Sequence, residues 1–282
     1  MRLWLMNRQP ARFLRLHSVL ASKLGSIRAV TRCQLGTTGR SYRVETDDSQ
    51  YFVKLFSPSS DVLLGPRAQF DLLEQLESSA IAPRPVTCDE STGLLVTEFI
   101  DDATSVDVNE FSRPERLREV ASLLKVLHQV QSDIPVFAPE RHAQLYIDRI
   151  GGYAQLSSRE KKRSDELIEL ADSMDSGMAC LCHNDLIAEN ILFGTSSKLI
   201  DFDYAVVGPP LIDLASVVVI NALPRAAETE LLDAYFRDCN FPFSAAEFAR
   251  VQRLVRLLAH FWSLASKNAE AAIVARYRME DD

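Results

Sequence analysis

Between Leu181 and Ala205 the sequence reads LCHNDLIAENILFGTSSKLIDFDYA. Asp185, Asn190, Asp201 and Asp203 fall within this one stretch, set among Leu, Ile and Phe. Carboxylates in apolar surroundings are costly unless they are paired, hydrogen-bonded or bound to a metal. The clustering therefore points to a metal or catalytic site, positioned by two short strand-like segments and the tight connection between them.

Other parts of the chain offer groups that such a site could use. Gly36-Thr37-Thr38-Gly39 is a glycine-bearing turn between strands, in isolation an ordinary hairpin signal. Lys54 lies mid-strand in YFVKLF and by alternation shares a face with Phe52 and Phe56. The strand GLLVTEFI ends near Glu98, where the composition changes. Cys180 and Cys182 flank Leu181 just before His183, but residues i and i+2 of a strand face one side and pack there. A zinc site would need a second ligand pair that the sequence does not show.

The elements that must hold these residues follow from periodicity. Residues 27–56 read as strands, with DDSQ as a turn. PRAQFDLLEQLE, residues 66–77, opens with Pro and carries an apolar stripe of Leu72, Leu73 and Leu76, so it reads as a helix. Ser112-Arg113-Pro114-Glu115 has the form of a capping box before Leu117, Val120, Leu124 and Leu127 at helical spacing. Further helices are expected over 141–155, 159–175, 211–220, 225–237 and 245–275. The chain thus reads as α+β: a β-rich N-terminal lobe over residues 1–100, then a helical C-terminal lobe over 101–282 that carries the catalytic stretch and the acceptor site. The first 35 residues contain seven Arg or Lys and no acid. This is weakly like an organelle transit peptide; we read it as a basic helix over about 11–24 packed on the first lobe.

Taken together, the motifs resemble those of the aminoglycoside phosphotransferase and choline kinase superfamily. HNDLIAENIL matches its catalytic loop, LIDFDYA its metal-binding segment, GPPLIDLA a downstream Pro-x3-Asp-Leu-Ala element and LLKVLHQV a Leu-x3-Leu-His helix. The resemblance covers roughly residues 30–265 and implies a bilobal protein-kinase-like fold using ATP and Mg2+ as cofactors. It assigns Asp185 as the base that takes the acceptor hydroxyl's proton and Asn190 and Asp201 as hard oxygen ligands for Mg2+. Lys54 would hold the α- and β-phosphates, with the backbone of residues 36–41 and the Ser41 hydroxyl capping them. Backbone groups at Glu98–Ile100 would meet adenine, and His183 and Asp213 would brace the loop. The chain departs from the pattern at one point. Gln69 stands where the family has a helix glutamate paired with the lysine, and we expect it to give Lys54 a neutral hydrogen bond.

The acceptor is less sharply written. An acid at Asp203 followed by Tyr204 resembles choline, ethanolamine and thiamine kinases. An acid with aromatic rings suits a cationic alcohol, and Trp262 is a further wall candidate, with Phe261, Tyr146 and Tyr153 behind it. The leading expectation is a small-molecule kinase acting on a choline- or thiamine-like alcohol. The alternatives are an aminoglycoside or sugar kinase on the same fold, or a non-catalytic nucleotide-binding pseudokinase, motivated by Gln69. A protein kinase is disfavoured, since there is no Ala-Pro-Glu element and no long segment between Asp201 and Asp213. A net charge of −8 argues against nucleic acid as partner. No apolar run reaches the roughly 18 residues of a membrane span, and five irregularly spaced cysteines suit a reducing, cytoplasmic setting. A monomer or homodimer is expected.

Overall fold

The structure, a computed structural model, describes residues 19–33, 39–57, 62–174, 179–237, 244–266, 277 and 279. Gly36, Thr37 and Thr38, and residues 11–18 of the basic helix expected over about 11–24, lie outside these residues. The described end of that helix, α1 (residues 19–24), seats Leu20 against the sheet with Val44, Val53, Leu94 and Val96.

An antiparallel five-stranded sheet forms the N-terminal region. Its strands are β1 (Ile27–Arg32), β2 (Gly39–Thr46), β3 (Gln50–Phe56), β4 (Pro85–Asp89) and β5 (Leu94–Glu98), in the order β1-β2-β3-β5-β4. The β2–β3 register sets Ser41 opposite Lys54, and the β3–β5 register sets Lys54 opposite Leu95. Between β3 and β4 the helix α2 (Pro66–Leu76) packs on the sheet through Gln69, Leu72, Leu73 and Leu76, the face that the i, i+3, i+4, i+7 spacing dictates.

The rest is mainly helical. A two-stranded antiparallel ladder joins β7 (Cys180–Cys182) to β10 (Val206–Gly208). A second ladder runs β6 (Ala103–Thr104), β8 (Ile191–Gly194), β9 (Lys198–Leu199). Gly194 permits the second: a Cβ there would lie 2.3 Å from the Asp102 carbonyl oxygen. Around these ladders pack α3 (Val108–Phe111), α4 (Pro114–Leu127), α5 (Pro139–Ile150), α6 (Ser158–Asp172), α7 (Leu211–Ile220), α8 (Arg225–Phe236) and α9 (Ala245–Ala265). The sequence of α7, LIDLASVVVI, is apolar on nearly every side because the helix is enclosed, with α9 and α8 against it. The long α9 starts at a Ser244/Glu247 capping box, and a second box at Ser157/Glu160 starts α6.

Two expectations change. Ser112 does not cap α4: it terminates α3, its hydroxyl spent on the Val108 carbonyl, while Arg113 precedes Pro114 at the helix start. The helix expected over 141–155 stops at Ile150, because Gly151 and Gly152 take φ of 113° and 90°, values glycine tolerates and an α-helix excludes. No helix among the described residues is long and apolar enough to cross a membrane.

Candidate active site

The stretch that opened the sequence analysis folds as β7, a loop, a short 3-10 turn at Ala188–Asn190, β8, β9 and the segment Ile200–Ala205. Asp185 and Asp201 line a cavity of about 760 Å3 between the sheet and the helices, with Asp203 buried behind them. Ser41, Lys54, Gln69, Glu98, Ile100, Asp185, Asn190, Asp201, Tyr204 and Trp262 all line it.

The loop is held from below. Asp213, buried on α7, accepts the His183 N–H at 2.8 Å through one oxygen and the Asn184 N–H at 2.7 Å through the other. His128 from the end of α4 adds Nε2 at 3.1 Å from Asp213, its Nδ1 facing the Tyr235 hydroxyl at 2.6 Å. His183 is buried, and burial lowers its pKa, so the imidazole is neutral. With Nε2 2.9 Å from the Ile200 carbonyl, that nitrogen carries the proton, and Nδ1 accepts the Asp185 N–H at 3.3 Å. One ring thus joins the loop to the Asp201 segment. Asn184 and Asp201 both adopt left-handed backbone, at φ of 63° and 67°, a cost that such fixed surroundings sustain.

Asn190 donates from Nδ2 to the Asp185 carbonyl at 2.9 Å and to Asp185 Oδ2 at 3.1 Å, fixing both side chains. Asp185 opens onto the cavity yet sits well below its mouth. Desolvation there, followed by repulsion from Asp201 and Asp203, raises its pKa from 3.8 to about 8. Lys54, only 5% exposed, bonds Asp201 Oδ1 and Asp203 Oδ1, the latter at 2.5 Å. Burial is the largest single influence on this ammonium and opposes its charge, but the two carboxylates together outweigh it and raise its pKa.

Two of the expected roles are corrected. Gln69 does not bond Lys54: its Nε2 donates to the Leu64 carbonyl at 3.0 Å and to Asp203 Oδ1. Asp203 does not face an acceptor. It is 1% exposed, with its carboxylate taken by Lys54 and Gln69 and its carbonyl accepting the Leu63 and Leu64 N–H groups. Phe202, between Asp201 and Asp203, is buried against the His183 ring. Of the strand-end groups, the Glu98 N–H goes to the Arg84 carbonyl and the Phe99 N–H to the Gln50 carbonyl. Tyr146, Tyr204, Trp262 and Tyr277 also line the cavity; Tyr146 and Tyr204 lie near enough to Asp185 to feel its charge, and Tyr277 makes an edge-on contact with Trp262 at 5.5 Å between centroids. The Tyr204 hydroxyl is buried without a hydrogen bond to any of the described residues, although the Trp262 indole is near it. Phe261 faces the core, and Tyr153 is exposed and bonded to Asp165, so neither reaches the cavity.

The sequence reading missed Asn221, Tyr277 and the bracing role of His128. Asn221, buried after α7, accepts the Ala188 N–H and donates to the Leu186 and Val217 carbonyls, closing the loop from a third side. A polar residue ending an apolar helix was its one signal; Tyr277 had none. Cys180 and Cys182 share a strand face, their sulfurs 3.8 Å apart and within 4.8 Å of His128. Both thiols are bonded to the Gly208 carbonyl and both His128 nitrogens are engaged, so packing and hydrogen bonds account for the trio.

The sequence profile described as "Phosphotransferase enzyme family" matches residues 29–261. The chain belongs to that family. Protein LicA of Haemophilus influenzae is 24% identical to this chain over 157 residues, 54% of this chain and 59% of that protein; the chain thus matches little more than half the length of this curated relative. Choline kinase LicA from Streptococcus pneumoniae superposes with a TM-score of 0.80 at 22% identity, over 94% of this chain and 95% of that one. A choline/ethanolamine kinase family protein from Mesorhizobium loti gives 0.70 at 19% identity, over 90% and 84%. At these identities the likeness establishes a shared fold, which is protein-kinase-like. In this chain Asp185, Asn190 and Asp201 line one cavity.

Proposed function

We propose that this phosphotransferase moves the γ-phosphoryl group of ATP to the hydroxyl of a small cationic alcohol, of the choline or thiamine kind. The observation that carries the reading is the joint placement of Asp185, Asn190, Asp201 and Lys54 in one cavity that aromatic side chains also line.

The donor set fits Mg2+. Two carboxylates, Asp201 and Asp203, bond one ammonium, and Asp185 lies close enough that, after burial, their charges help to raise its pKa. Asn190 and Asp201 supply the hard oxygens, few enough to leave room for phosphate and water, as Mg2+ prefers. When bound, the ion neutralises phosphate charge as it redistributes in transfer. Lys54 and Ser41 hold phosphate oxygens on the sheet side. The adenine is met at Glu98–Ile100, where Ile100 is the candidate donor once Glu98 and Phe99 are spent inside the sheet. Asp185 orients the acceptor hydroxyl and takes its proton as oxygen approaches phosphorus. Asp213, His183 and Asn190 hold Asp185 in place. Tyr146, Tyr204, Trp262 and Tyr277 present π-faces to a cation. The pseudokinase alternative drew on Gln69, and that argument weakens because Lys54 has two carboxylate partners.

The test is ATP consumption with Mg2+ against thiamine, choline, ethanolamine, an aminoglycoside, homoserine and a ketosamine. Strong turnover of one cationic alcohol is the expected result. Preference for the aminoglycoside or a sugar derivative would overturn the acceptor assignment, and absence of Mg2+-dependent nucleotide binding would overturn the kinase reading itself.

A further inference from the structure

Lys54 faces two carboxylates that are not equivalent. Asp201 has a side chain 27% exposed and turned to the cavity, whereas the Asp203 side chain is 1% exposed. Asp203 is also fixed at three further points, by the Gln69 amide and by the Leu63 and Leu64 N–H groups on its carbonyl. Its surroundings leave it no access to a ligand. The Gln69 amide is equally committed, spanning the Leu64 carbonyl and Asp203.

We infer that Asp203, locked by Gln69, is the standing counter-charge of Lys54, and that the contact between Lys54 and Asp201 is the exchangeable one. A buried ammonium must keep a carboxylate partner or lose its charge. If Asp201 gives its oxygens to a metal ion, Lys54 still has Asp203 and remains charged for the phosphates. Without Asp203, Lys54 would hold on to Asp201 and compete with the metal. Asp203 is thus a positioning residue for the nucleotide, not part of the acceptor site. The role that a helix carboxylate would play from position 69 is exercised from the metal-binding segment, with the neutral partner transposed to the helix. This rests on the proposed roles of Lys54 and Asp201.

The geometry permits a swap. Lys54 Nζ and Gln69 Nε2 bond the same Asp203 oxygen, so they lie no more than about 5 Å apart. A carboxylate at position 69 could therefore reach the ammonium, and an amide at 203 could donate back to that carboxylate. The test is a double-mutant cycle on the full chain with Gln69→Glu, Asp203→Asn and both together. Two quantities are read: MgADP affinity by calorimetry across a range of Mg2+ concentrations, and thermal midpoint without ligand. Asp203→Asn should raise the Mg2+ concentration for half-maximal ADP binding on the order of ten-fold, and Gln69→Glu should weaken binding similarly by placing a third carboxylate around one ammonium. The double variant should return to within about three-fold of the native protein. Losses that simply add in the double variant, or an unaltered Mg2+ requirement in Asp203→Asn, would overturn the assignment. Should Asp203→Asn fail to fold, a folded double variant is the supporting result and an unfolded one the refuting result. If the native protein does not bind MgADP, the nucleotide reading fails, and the thermal midpoints alone decide the counter-charge: recovery supports it and additivity refutes it.

Discussion

Replacing Asp185 by Asn should make the protein more stable at alkaline pH while removing its activity. The native carboxyl titrates near 8, against 3.8 ordinarily, because burial and the Asp201 and Asp203 charges penalise its ionised form. The folded state therefore binds more protons than the unfolded state between these values, and stability falls as pH rises through that window. Above about 8 the full penalty is present; below about 4 it is gone. At ~1.4 kcal/mol per pH unit, the rise from 3.8 to about 8 sets a ceiling of roughly 6 kcal/mol. Partial contact with the cavity reduces this, so a gain of ~1–3 kcal/mol is expected from the neutral amide at pH 8.5. The substitution keeps the shape, and the new amide oxygen can still accept from Asn190 Nδ2. In thermal denaturation with EDTA present, the midpoint should rise by roughly 2–10 °C at pH 8.5. At pH 5.5 the gain should be less than half as large. Turnover of whichever alcohol the panel identifies should fall by roughly 100-fold or more, with MgATP affinity little changed. An equal midpoint shift at both pH values, or a loss at pH 8.5, would show that Asp185 is not the penalised carboxyl.

Three further substitutions separate the metal, the scaffold and the acceptor wall. Asp201→Ala should abolish the Mg2+ dependence of nucleotide binding; calorimetry showing the same affinity with and without Mg2+ in both native and variant protein would remove Asp201 from the metal site. Asp213→Asn leaves an amide hydrogen facing a backbone N–H where a carboxylate accepted two bonds, and should cost ~2–4 kcal/mol. That is a midpoint lower by roughly 5–15 °C, and no measurable drop would deny it the bracing role. Tyr204→Phe deletes a buried hydroxyl that has no hydrogen bond to the described residues, so stability should move by less than ~1 kcal/mol. If that hydroxyl serves the acceptor, KM for the alcohol should rise roughly five-fold or more with KM for ATP unchanged; equal effects on both would place Tyr204 elsewhere.

The parts of the molecule that were legible in the sequence are those fixed by local rules. Helix α2 declared itself by Pro66 and a leucine stripe, β3 by alternation, and the cavity floor by acids set at fixed spacing among apolar residues. Local rules also misled. Ser112-Arg113-Pro114-Glu115 has the letters of a capping box, but the hydroxyl was claimed by the preceding turn at Val108. Gly151-Gly152 ended a helix that hydrophobic spacing would have continued. The least legible feature was how charge is shared across chain-distant elements. From sequence, Asp203 was one more acid beside an aromatic residue, and Gln69 a neutral partner for Lys54. In the folded chain both turn toward each other, because Leu63 and Leu64 dock on the Asp203 carbonyl and draw the start of α2 against the Ile200–Ala205 segment. No spacing rule connects positions 69 and 203, and a short linear motif containing Asp203 carries no mark of which way its carboxylate turns. The departure at Gln69 looked like a weakened nucleotide site. Together with Asp203 it describes a site whose charges have changed places, and that distinction is what the reciprocal substitution measures.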